Sequence, residues 1–144
     1  MDRASLAAFL KSHRWAVAST VAHNGMPQAA VIGVAATDSL ELVFDTLATT
    51  RKAANLRANP HIALVIGGLD GEERTVQYEG VADFPAGAEL EELKRVYFAA
   101  FPDGIARLRW PGILYVRVKP RWLRVSDFNA DPPVILEFPF AGGI

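Results

Sequence analysis

Between Phe44 and Pro60 the chain sets two hydroxyls, Thr46 and Thr50, close to two cations, Arg51 and Lys52. Together these side chains suit one task, the holding of an anion, because hydroxyls donate hydrogen bonds and arginine and lysine add charge. Leu40, Leu42 and Phe44 alternate with Glu41, Val43 and Asp45, which predicts a strand with one largely apolar face. Thr50 can then cap a helix whose inward face is Ala53 and Leu56. Asn59-Pro60 ends that helix, since proline disfavours helical geometry in the residue before it. Arg51 and Lys52 fall in the first turn, where a cation opposes the helix macrodipole at a cost of about 0.3 to 1 kcal/mol. A phosphomonoester resolves that conflict, bound by the open N–H groups of the turn, the two hydroxyls and the two cations. A solvated basic turn is the plainer reading of the same spacing.

Elsewhere the sequence offers few groups that could do chemistry. His13, His23 and His61 have no metal-ligand spacing and read as surface or capping residues. No serine stands in a Gly-x-Ser-x-Gly elbow. Glu89, Glu91 and Glu92 with Lys94 and Arg95 read as a solvated helix face, Glu91 lying four residues before Arg95. With no cysteine, thiol catalysis, disulfides and Cys-ligated metals are excluded. No catalytic residue and no metal site is assigned, a scarcity that fits an enzyme whose cofactor carries the reaction.

The elements that must position these groups follow from periodicity. A helix is expected from about Asp2 to Ser12, and strands over Trp15 to Val21, Gln28 to Ala35 and Leu40 to Thr46. An Asn24-Gly25 turn separates the first two. After the Thr50 helix come His61 to Ile66 and Arg74 to Phe84, the latter with Val76, Tyr78, Ala82 and Phe84 on one face. A helix from about Ala86 to Phe101 turns Leu90, Leu93, Tyr97 and Phe101 inward, and two strands flank Pro120. The fold class is mainly β, a six- to seven-stranded antiparallel split barrel with peripheral helices. Residues 1–144 are read as one domain, ending in an apolar arm over 129–144 that packs on its own barrel or on a second subunit.

The chain has 144 residues, 51% of them hydrophobic, and a formal net charge of -1. That charge argues against nucleic acid, which calls for a basic face. The lack of a long apolar run or an export signal argues against a membrane, leaving the cytoplasm as the expected location and a small molecule as the expected partner.

The segments Phe44-Asp45-Thr46, Thr50-Arg51-Lys52-Ala53 and Asn59-Pro60 resemble a motif of the pyridoxamine 5'-phosphate oxidase-like family of flavin-binding split barrels. The likeness runs from about Trp15 to Phe128. It implies a homodimer with FMN at the subunit interface, its phosphate held by Thr46, Thr50, Arg51 and Lys52. It further implies flavin contacts from Gln28, Ala30 and Val31 on the second strand, from Thr75, and less directly from Phe44, Trp110 and Trp122. Deazaflavin or heme, used by neighbours in the same superfamily, remain the alternative cofactors. An electron carrier or stress-related binding protein is the alternative to an oxidoreductase.

The departures bear on substrate. Where the true oxidase carries Tyr-Phe-x-x-Arg-Pro for the substrate phosphate, this chain reads Tyr97-Phe98-Ala99-Ala100-Phe101-Pro102, with Phe101 in place of the arginine. Gly33 and Ala35 bracket the place of the substrate lysine, and no arginine or histidine follows Phe128. Weak or absent pyridoxamine 5'-phosphate oxidase activity is expected. Arg117, Arg121 and Arg124 are candidates for an acidic substrate or for a solvated strand face.

Overall fold

The computed structural model describes residues 1–141. In chain order the elements are α1 (Arg3–Ser12), β1 (Trp15–Val21), β2 (Pro27–Gly33), β3 (Ala35–Ala36), β4 (Leu42–Leu47), α2 (Arg51–Ala58), β5 (His61–Gly67), β6 (Arg74–Asp83), α3 (Gly87–Ala100), a 3₁₀ segment (Pro102–Arg109), β7 (Ile113–Asp127) and β8 (Val134–Pro139). Seven strands follow one another in a single sheet, in the order β2-β1-β5-β6-β7-β4-β3, with β8 added beside β7. Every pairing is antiparallel. β2 and β3 stand at opposite ends of that order although only Val34 separates them, so the two ends must approach one another there. The sheet therefore curls into an open half-barrel, a split barrel whose gap lies between the rest of β2 and β4.

Phe44, Tyr78, Leu42, Ile66 and Leu123 fill the barrel, and α1 closes it with Leu6, Phe9 and Leu10. The Tyr78 hydroxyl, wholly buried, shares its hydrogen between the carbonyls of Leu40 at 2.7 Å and Val118 at 3.2 Å. A second cluster of Val43, Leu93, Tyr97, Phe101 and Tyr115 lies under α3. It explains why Leu42, Val43 and Phe44 are all buried where alternation predicted one inward face: both sides of β4 are covered.

Several boundaries differ from the sequence reading. The stretch read as one strand from Gln28 to Ala35 is broken at Val34. Leu40, expected in a strand, is a buried turn residue with φ of 67°. Glu91 bonds Lys94 rather than Arg95, which takes Glu92, so the helix face is tied at three-residue spacing. The two strands expected around Pro120 are one strand, β7. Its register against β6 slips, Glu79 facing Trp122 while Gly80 faces Pro120, which leaves Arg121 as an extra residue. A bulge is where a strand tolerates a residue without an N–H.

The apolar arm forms β8 against β7 of its own chain, and Phe138 and Phe140 pack on the main core. The rest of the arm, 142–144, lies outside the described residues.

Candidate functional site

α2 crosses the gap of the half-barrel and presents its first turn to the open edge of β2. Ala53 N donates to Thr50 Oγ1 at 3.2 Å, the cap that the sequence predicts. Thr50 in turn donates to the Leu47 carbonyl at 2.9 Å, and its oxygen is 3.0 Å from that of Thr46. With the Thr50 hydrogen on Leu47, Thr46 must be the donor of this pair. Both hydroxyl hydrogens are thus committed to shaping the loop, whereas the sequence reading gave both to an anion. The N–H groups of Arg51 and Lys52 and their side-chain charges are what this turn presents outward.

Neither Arg51 nor Lys52 has an acidic partner among the described residues. Lys52 is half-buried, and that burial alone lowers the pKa of its ammonium, with no carboxylate raising it. Asp45, next to Thr46 in sequence, is drawn to the other side of β4. There it accepts from Arg107 Nε at 2.7 Å and from the Tyr97 hydroxyl at 3.1 Å. The cations at the α2 entrance therefore face a cavity free of competing acids.

That cavity has a volume of about 420 Å³ and lies between Thr49 to Lys52 on one side and Gln28, Ala29 and Ala30 of β2 on the other, with Ala18 and Thr20 from β1. The edge of β2 can be specified atom by atom. Ala22 N bonds Met26 O and Val34 N bonds Arg14 O, so the hydrogen-bonded pairs of the β1–β2 ladder fall at the even residues of β2. The N–H and C=O groups of Ala29, Val31 and Gly33 consequently point to the open edge, and the side chains of Ala29 and Val31 to the outer face of the sheet.

One chain thus brings Gln28, Ala30, Thr50, Arg51 and Lys52 around a single cavity, with Thr46 bonded behind Thr50. It does not bring the others there. Phe44 is fully buried, its ring a part of the main core rather than a cavity wall. Val31 turns its side chain to the outer face. Thr75 pairs with Gly67 and Trp122 with Glu79, which places both on the outer side of strands beyond β1. Trp110 is half-exposed at the end of the 3₁₀ segment. Its turn reaches the site loop through the hydrogen bond of Ala48 N to the Gly112 carbonyl at 2.7 Å.

Sequence reasoning missed Asn55. Its buried amide donates to Thr20 Oγ1 at 3.0 Å and to Gln28 Oε1 at 2.9 Å. The available signal was an amide flanked by the inward residues Ala53 and Leu56, a place where a polar group must find partners. Of the three arginines proposed for an acidic substrate, Arg117 is held by Asp83 at 2.6 Å and Glu89 at 3.1 Å, and Arg124 by Glu137 at 2.6 Å. Arg121, the bulge residue, lines a groove of about 490 Å³ on the outer face with Ser19, His61 and Glu79.

The family model of pyridoxamine 5'-phosphate oxidase matches residues 3–124, which span β1 to β6, most of β7, α2 and the cavity just described. The chain belongs to the pyridoxamine 5'-phosphate oxidase family. A pyridoxine/pyridoxamine 5'-phosphate oxidase of Burkholderia vietnamiensis is 34% identical over 100 residues, 69% of this chain and 44% of that protein. The chain therefore spans less than half the length of this family relative. Among solved structures, a heme binding protein from Mycobacterium smegmatis superposes with a TM-score of 0.82 at 15% identity, over 96% of this chain and 58% of its own. A pyridoxamine 5'-phosphate oxidase-related, FMN binding protein from Nostoc punctiforme does so with a TM-score of 0.70 at 15% identity, over 90% and 82%. At such identities these two likenesses establish the family's split-barrel fold and nothing finer. No helix among the described residues is long and apolar enough to cross a membrane.

Proposed function

We propose that this chain binds FMN and acts, as a cytoplasmic homodimer, as an oxidoreductase on a small and largely apolar substrate. The observation that carries the reading is the pair Arg51 and Lys52, without acidic partners among the described residues, at a helix entrance that lines a cavity. A lysine half-desolvated with nothing to neutralise it favours a bound anion, and the first-turn N–H groups suit a phosphate. When bound, FMN supplies the electron transfer. The chain's own residues hold the phosphate at α2 and offer main-chain donors and acceptors from Ala29 and Val31 along the edge of β2.

A second copy of the chain is the proposed cover for the outer sheet face. There Val17 lies opposite Val31 and Val65, with Trp15 beside them, and these four are 39%, 67%, 44% and 58% exposed. So contiguous an apolar surface on a sheet calls for a partner.

Pyridoxamine 5'-phosphate is not the proposed substrate. Phe101 stacks on Tyr97 at 5.0 Å, lies under the Arg14 guanidinium at 4.5 Å, and abuts Gly33 so closely that a Cβ there would sit 2.8 Å from the ring. An apolar contact thus occupies the neighbourhood in which the resemblance puts an arginine and a lysine.

Heme is the second reading, favoured by the exposed His61 imidazole in the outer groove beside Arg121. Titrating the purified protein with FMN, riboflavin and hemin separates these readings. FMN binding far more tightly than riboflavin is expected. Equal affinity for the two flavins overturns the phosphate assignment, and binding of hemin alone overturns the flavin reading. Reduction of the bound flavin by a reduced nicotinamide dinucleotide or another donor, followed by reoxidation with a substrate, is the test of enzymatic function.

A further inference from the structure

Asn55 spends both hydrogens of its amide on two side chains that line the cavity, Thr20 and Gln28, and does not line the cavity itself. An amide has a fixed polarity. Once Gln28 Oε1 is held by Asn55, the end of Gln28 left for anything else is Nε2, whose two N–H groups have no partner among the described residues. The arrangement gives both Asn55 N–H groups a partner and leaves its carbonyl oxygen, which is not among the fully buried atoms lacking one, to other contacts.

We propose that Asn55 is a positioning residue that orients Gln28 as a hydrogen-bond donor into the cavity, so that the site selects ligands carrying an acceptor atom, a carbonyl oxygen or an unprotonated ring nitrogen, beyond their phosphate. The identity of that ligand rests on the flavin reading; the orientation of Gln28 does not. Thr20 is the third member of the arrangement: buried on β1, it takes the second Asn55 hydrogen and fixes the amide plane.

Two substitutions separate this role from a structural one. Asn55→Leu removes the contact without adding charge, and Asn55→Asp can only accept, so it forces Gln28 to turn its N–H end inward. In the ligand-free protein, side-chain amide NMR reads the contact directly. Both variants should shift the Gln28 amide pair while leaving most backbone signals in place, and unshifted Gln28 resonances overturn the proposal whether or not the protein binds flavin. With FMN and riboflavin as probes, Asn55→Leu and Gln28→Leu should each weaken binding roughly tenfold, by the same factor for both flavins. The double variant should be no weaker than either single one. Additive losses, or full affinity in Asn55→Leu, overturn it. A wild-type protein that binds neither flavin, yet shows the amide shifts, refutes the cofactor and leaves the orientation of Gln28 standing.

Discussion

The hydroxyls of Thr46 and Thr50 lie 3.0 Å apart, one below 10% exposure and the other capping α2, so that a single contact ties the end of β4 to the start of the helix. Thr50→Ala removes the cap and also strands the Thr46 hydroxyl. The combined loss should be about 2 to 4 kcal/mol in urea unfolding, more than a cap alone. Thr50→Ser should cost little, and adding Thr46→Val to Thr50→Ala should restore part of the stability. A loss no greater than that of an isolated cap would show that the Thr46 contact contributes nothing.

Arg51 and Lys52 should affect binding and stability in opposite directions. Replacing both with alanine deletes two charge-assisted contacts worth about 1.5 to 3 kcal/mol each, so FMN affinity should fall by at least a hundredfold. The ligand-free variant should melt no lower than the parent, because cations in a first turn oppose the helix dipole. Calorimetry with and without FMN measures both quantities, and unchanged affinity refutes the phosphate site.

All three tyrosines hold their protons more tightly than a free phenol. Burial raises the pKa of Tyr78 and Tyr115, and that of Tyr97 to about 12, the last with help from the nearby Asp45 carboxylate. A folded-state pKa above the unfolded value of about 10 gives stability that is complete below pH 10 and is lost as the pH climbs through the folded value. Ultraviolet titration should therefore show almost no tyrosinate at pH 10 in the native protein and its abrupt appearance on alkaline unfolding. Tyr97→Phe should flatten the fall in stability between about pH 10 and 12.

Gly80 sits where the β6–β7 register slips. A methyl group there would meet Val118 Cγ1 at 2.6 Å and the Lys119 carbonyl at 2.7 Å. Gly80→Ala should cost about 1 to 3 kcal/mol by thermal or urea unfolding, since a backbone oxygen cannot step aside as a side chain can. A neutral result would mean that the bulge relaxes freely.

Val31→Arg places a charge in the middle of the exposed apolar face without touching the core. Sedimentation of this variant should give a monomer where the parent gives a dimer, with the circular dichroism spectrum unchanged. An unaltered mass, or a monomeric parent, rejects this face as the subunit contact.

Most of the architecture was legible because its signals are local. Alternation marked β1, β5 and β6, Thr50 and Asn59-Pro60 bracketed α2, and the turn at Asn24-Gly25 was explicit. The misreadings share a different origin. Pro120 reads as a strand breaker because the bulge that accommodates it is made with Gly80, some forty residues earlier. Val43 reads as outward because α3, which covers it, lies far along the chain. In the candidate site, the type and spacing of Arg51 and Lys52 were visible, but the Asn55–Thr20–Gln28 arrangement joins three elements and leaves no periodic trace. The withdrawal of Asp45 toward Arg107 was equally hidden, although it is what keeps the cavity free of a competing acid.

The open edge of β2 has an evolutionary corollary. Ala29 and Val31 offer the open edge only main-chain atoms, which every amino acid except proline possesses in full, while their side chains belong to the opposite surface. The two positions can therefore drift in side-chain identity, retuning what the outer face adheres to, without rewriting what the edge presents to a ligand. Only proline would cut both inheritances at once.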